Sequence, residues 1–83
     1  MSEEIKKTIL FGGLFDLYGR LLSPVQLSVM QDYYDNNLTL SEIAENGKIS
    51  RQAVYDAVIK AQKKLLEIEE KVGAYEKLNS LRG

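Results

Sequence analysis

Ser50, Arg51 and Gln52 stand together in the chain, and Tyr55 follows about one helical turn later. A guanidinium at such a place can donate a paired set of hydrogen bonds to guanine or grip a phosphate, and a glutamine amide can pair with adenine. Tyr55 can bond a phosphate or lean on a base, while Lys60, Lys63 and Lys64 can hold the flanking backbone. Serine supplies the side-chain oxygen that starts a helix. These residue types in this order suit a helix that enters a nucleic-acid groove by its N-terminal end. The same residues also suit a solvated first turn and a solvated lysine face, so they are candidates for contact with DNA or RNA.

Other chemistry has little to build on. Histidine and cysteine are absent, which removes the commonest general base and the commonest metal ligands. No phosphate-cradling glycine loop or paired-carboxylate pattern occurs, and the glutamates from Glu67 to Glu70 read as surface helix. The expectation is a non-enzyme without catalytic residues, metal, cofactor or small-molecule substrate. No apolar run approaches the roughly 20 residues needed to cross a bilayer, and MSEEIKKT lacks the features of a secretory signal. The expected compartment is the cytoplasm. The net charge of -1 conceals a split: residues 48–64 carry +4, whereas residues 65–76 carry -3. That argues against indiscriminate coating of nucleic acid and leaves room for a local contact.

The elements that must position these groups are helices. With 83 residues, six glycines and one proline, the chain predicts one all-α domain over residues 1–83, without strands. In the first helix, residues 4–22, Leu10, Leu14, Leu17 and Leu21 form one apolar row and Phe11, Phe15, Tyr18 and Leu22 another. Together the rows cover roughly 160° of the helix surface, with Gly12, Gly13 and Gly19 off that face and Gly12-Gly13 its weakest point. Ser23-Pro24 caps a second helix, residues 24–35, whose inner face holds Leu27, Met30 and Tyr34; of Tyr33-Tyr34, one ring is expected to be partly exposed. Thr39 and Glu42 have capping-box spacing and open a short third helix, residues 40–45. Ser50 caps the last, residues 51–78, followed by a frayed end from Asn79 to Gly83.

LSEIAENGKISRQAVYDAV has the order of a helix-turn-helix: short helix, tight turn, longer capped helix. In this reading Ala44 is small where the helices cross, Gly47 takes a positive φ, and Ile49 plugs the core beneath the turn. Along the last helix Val54, Val58, Ala61, Leu65, Ile68, Val72 and Tyr75 make a heptad seam. The seam has two solutions, the N-terminal helix of the same chain or its own equivalent in a second chain. The breadth of apolar face favours a homodimer, which would also suit two half-sites.

LYGRLLSPVQLSVMQDYYDNNLTLSEIAENGKISRQAVYDAVIKAQKKL resembles the YlxM family of small bacterial helix-turn-helix proteins. The likeness runs from about Leu10 to Tyr75, with LLSPVQ, QDYYDNNLTLSEIAE and ISRQAVYD its most specific pieces. The resemblance implies a wing-free fold like the fourth region of bacterial sigma factors. It implies a cytoplasmic regulator tied, through gene order, to the signal recognition particle pathway. Ser50, Arg51, Gln52, Ala53, Val54 and Tyr55 match the family's SRQAVY run, of which Arg51, Gln52 and Tyr55 are the exposed members. Gly47-Lys48 depart from the family's usual larger, often apolar residue followed by a polar one, and the family usually continues beyond the equivalent of Gly83. The competing function is a protein-interaction module that binds a signal-recognition GTPase without reading nucleic acid.

Overall fold

The computed structural model describes residues 2–82, which fold into helices with no strand among them. Ser2 opens α1 (Glu3–Tyr18), its hydroxyl accepting the Ile5 N–H at 3.2 Å, and Glu3 and Glu4 face the partial positive charge of the helix start. The expected 4–22 helix is not uniform: its last turn tightens into a 3-10 turn over Gly19–Leu21. Gly19 is buried there, and a Cβ in its place would come within 2.9 Å of the Phe15 ring. The apolar face is also narrower than its two rows suggest. Phe11, Phe15, Tyr18 and Leu22 are all buried, but of the other row only Leu14 is, while Leu17 and Leu21 face solvent.

Ser23 and Gln26 form a reciprocal capping box at the start of α2 (Pro24–Met30), with bonds of 3.2 and 3.3 Å. Met30 is fully buried as expected; Val29 joins it, whereas Leu27 and Tyr34 are half-buried. The helix then widens into a π turn, Gln31–Asp35, closed by the Asn36 N–H donating to the Gln31 carbonyl at 3.0 Å. Asn36 donates its side-chain amide to the Asp32 carboxylate at 3.0 Å, and Asn37 takes φ 55° to redirect the chain.

Thr39 and Glu42 make the predicted capping box (3.1 and 3.0 Å) for α3 (Leu40–Gly47), which buries Ile43 and Ala44. The helix runs past residue 45, and the turn is built differently from the expectation. Gly47 stays helical, and Lys48 occupies the left-handed region at φ 55°, ψ 40°. The Ile49 N–H then bonds the Ala44 carbonyl at 3.0 Å, so the α3 carbonyls are satisfied by a turn that leaves the Ile49 side chain outside. At 45% exposure, Ile49 does not plug the core.

The central element is α4 (Arg51–Val72), which packs against α1, α2 and α3. Val54, Val58, Ala61 and Leu65 are buried in one core with Leu14 and Met30. Of the two solutions open to the seam, these four residues take the intramolecular one. The expected helix over 51–78 is two helices, because Gly73 at φ +70° ends α4 and α5 (Ala74–Arg82) turns back toward α1. The seam ends with it: Val72 is 61% exposed. Asn79 and its successors to residue 82 belong to α5, and Gly83 lies outside the described residues.

A polar staple fixes this corner. The Glu69 carboxylate accepts the Tyr18 hydroxyl at 2.6 Å and the N–H groups of Tyr75 and Glu76 at 3.1 and 3.0 Å. The Tyr18 oxygen in turn accepts the Ala74 N–H at 3.1 Å. Three of the orphan donors at the start of α5 are thereby satisfied by side chains from α4 and α1. The Tyr18 hydroxyl bond, with the two backbone donors, holds the Glu69 carboxyl below its usual range. Burial, with the bond to Glu69, pushes the Tyr18 phenol up. Tyr75 packs onto α1 at Gly13, where a larger residue would strike its ring. Gly13 is thus a contact face for α5, not an idle flank of α1.

Candidate nucleic-acid interface

Ser50 is extended (φ -72°, ψ 154°) and its hydroxyl accepts the Ala53 N–H at 3.0 Å. It serves as the cap that aims α4, and Arg51 and Gln52 occupy the first two helical positions. Thr39 caps α3 in the same way, and the left-handed Lys48 sets the angle between the two helices. Ile43 and Ala44 on one side and Val54 on the other lock the crossing inside the core. These contacts leave the start of α4 facing outward.

Arg51, Gln52 and Tyr55 are all exposed, Tyr55 by 48%. With Leu40 they line a depression of about 410 Å³ between the starts of α3 and α4. Arg51 and Tyr55 are four residues apart and share a face, about 40° from one another at 100° per residue. Gln52 lies beside them, but its amide donates to the Asp56 carboxylate at 3.0 Å. To read a base edge it must exchange that bond, and Asp56 brings a negative charge to the same end.

The lysines do not form one track. Lys63 falls about 20° from Gln52 around the helix, so it extends the Gln52 face. Lys60 and Lys64 fall about 140° and 180° from Tyr55, on the far flank with Ala53. All three are exposed. One flat duplex surface can reach Arg51, Gln52, Tyr55 and Lys63 together, but not Lys64 at the same time.

Residues outside the predicted set adjoin this end. Hollows of about 500 and 420 Å³ lie between the start of α1, the π turn and α4, and both are lined by Thr8, Tyr33, Tyr34 and Leu40. Arg51 lines the first and Tyr55 the second. Gln62 donates to the Tyr34 hydroxyl at 2.9 Å, and burial raises the Tyr34 phenol even though that bond opposes the shift. Both tyrosines are half-buried, so the expected division into one core ring and one partly exposed ring is not realised. The only sequence signal for them was their adjacency, and an ideal α-helix would splay the two rings about 100° apart.

Residues 5–82 match the protein family described as "Putative helix-turn-helix protein, YlxM / p13 like". A UPF0122 protein of Clostridium botulinum is 48% identical over 64 residues, covering 77% of this chain and 59% of its own length. One from Geobacillus kaustophilus is 40% identical over 78 residues, covering 94% of this chain and 71% of its own. A third, from Malacoplasma penetrans, is 46% identical over 59 residues, 71% of this chain and 55% of the relative. The chain thus spans little more than half the length of two of these relatives.

Proposed function

The chain belongs to the YlxM / p13-like helix-turn-helix family, and from that premise we propose that it is a non-catalytic, cytoplasmic regulator that contacts nucleic acid through the start of α4. The observation that carries this reading is the shared outward face of Arg51, Gln52 and Tyr55, aimed by the Ser50 cap across a tight turn. In the reading, α4 enters a major groove by its first turns, α3 crosses the phosphate backbone, and Lys63 holds a phosphate farther along. Titration with duplex DNA and with a signal-recognition-particle RNA tests it. Binding at low salt should weaken steeply as salt rises, because each phosphate contact releases counterions. Absence of binding to both nucleic acids at low salt overturns the reading.

The Gln52–Asp56 bond favours a second reading, in which this end docks a protein such as a signal-recognition GTPase. An amide already paired with a carboxylate suits a protein surface better than a phosphate-lined groove. Co-purification with the GTPase that survives nuclease treatment, from a chain that binds neither nucleic acid, supports that alternative over the first.

A homodimer also belongs to the proposal, on ground other than the seam. Exposed Ile5, Ile9, Leu17 and Leu21 leave apolar surface along α1 and its 3-10 turn. A second copy covering it would present two reading ends to two half-sites.

A further inference from the structure

Tyr33 and Tyr34 are neighbours in sequence yet line the same two hollows beside the reading end. The π turn over Gln31–Asp35 makes this possible, since its wider step keeps successive side chains closer around the axis than an α-helix does. The two rings meet edge to face, with centroids 5.0 Å apart and planes at 89°. Tyr34 is held through its hydroxyl by Gln62, so Tyr33 packs against a hydrogen-bonded neighbour. It is a positioned aromatic surface whose packing residue is itself hydrogen-bonded.

The surroundings are polar at the edges and cationic at the ends. Arg51 and Ser41 border one hollow, Lys7 and Tyr55 the other, and among the described residues Glu4 is the only carboxylate lining either. Thr8 donates its hydroxyl to the Glu4 carbonyl at 2.9 Å, which leaves its oxygen free to accept. Aromatic rings, side-chain acceptors and flanking cations together are what a base and its phosphates require. An apolar peptide would leave those polar groups uncompensated.

Resting on the nucleic-acid reading above, we propose that this groove holds an unpaired base of the bound strand. The base stacks on Tyr33, and its neighbouring phosphates lie on Arg51 and Lys7. Arg51 and Tyr55 belong to both the groove and the α4 reading end, so a strand leaving a duplex there passes directly over the groove. The site therefore prefers a duplex that carries unpaired bases to one that is fully paired.

The test compares a fully paired duplex with the same duplex carrying a short adenine bulge, each with a fluorescent label. The bulged probe should bind about ten-fold more tightly, within the range of base stacking on an aromatic side chain. Tyr33→Leu should remove that advantage and leave paired binding unchanged, while Tyr33→Phe should keep it. Thr8→Met, from an exposed helical position, should also remove it by filling the groove without adding an aromatic face, which covers a Tyr33→Leu chain that fails to fold by circular dichroism. Equal binding of the two probes, or an advantage that survives Thr8→Met, overturns the groove while leaving the α4 reading in place. Failure to bind either probe overturns the α4 reading and the groove with it.

Discussion

In the proposed reading, Arg51 and Lys63 divide the work that a reading helix must do, and single substitutions should separate them. Arg51 sits at the first helical position beside Tyr55, so it can reach a base edge. Lys63 lies about three turns farther on, along the Gln52 face and about 120° around the helix from Arg51, where in this reading it meets the phosphate backbone. Arg51→Ala should relax sequence preference and cost about 1–3 kcal/mol of binding to the preferred site. Lys63→Glu should weaken binding to all sequences alike and lower the salt dependence by about one phosphate contact. Filter or anisotropy titrations on matched and scrambled duplexes check both; an Arg51→Ala chain with unchanged preference would remove Arg51 from base reading. At this scale the caps were legible in the sequence: Thr39-x-x-Glu42 and Ser50 are short-range patterns, and both form. The left-handed residue was not. Gly47 was the natural choice by conformational freedom, but the chain continues α3 through it and places the turn at Lys48. Lys48→Gly should therefore stabilise the fold by up to about 1 kcal/mol, since an L-residue is strained at that φ; thermal unfolding measures it.

At the level of elements, the corner between α4 and α5 has a charge on which it depends. The expectation of one helix over 51–78 followed the heptad spacing of Val54 to Tyr75, and spacing alone cannot distinguish a glycine tolerated inside a helix from one that ends it. What decides is tertiary: Glu69 and Tyr18 satisfy the α5 donors only if the chain turns at Gly73. That pairing joins residues 51 positions apart, beyond any local pattern. It also sets a pH dependence. The folded Glu69 carboxyl lies below its usual value, so its contribution is present above the ordinary carboxylate range and is lost as pH falls through the lowered value. The groups that face it are the Tyr18 hydroxyl from α1 and the Tyr75 and Glu76 amides from α5. Acidification should loosen α5 before the core opens, seen as faster hydrogen exchange at the amides of Tyr75 and Glu76. Glu69→Gln should be less stable than the unaltered chain near neutral pH, with the gap narrowing in acid. A gap that stays constant with pH would show that the Glu69 charge does not hold the corner.

The whole molecule measures 42 × 28 × 17 Å, and its smallest dimension is less than two helix diameters of about 10–12 Å. A body that thin cannot cover α1 and α4 on every side. The core residues Leu14, Val54 and Leu65 take the inner faces, which leaves Ile5, Ile9, Leu17 and Leu21 exposed on α1 and its 3-10 turn, with Ile59 and Leu66 exposed on α4. Breadth of apolar pattern was legible in the sequence, but its division between an inner and an outer face depends on how α2 and α3 straddle α4, which no single helix encodes. Val54, Val58, Ala61 and Leu65 of the seam are consumed within the chain, so the proposed dimer draws on the outer α1 face. Sedimentation at high protein concentration should then give twice the 9.4 kDa chain mass. Leu17→Glu with Leu21→Glu, both at solvent-exposed positions, should return the particle to 9.4 kDa with little change in helicity. A paired change at Ile59 and Leu66 to glutamate should leave the dimer intact. If the unaltered chain sediments at 9.4 kDa, the two-copy assembly fails, and a single reading end must then account for whatever binding the titrations find.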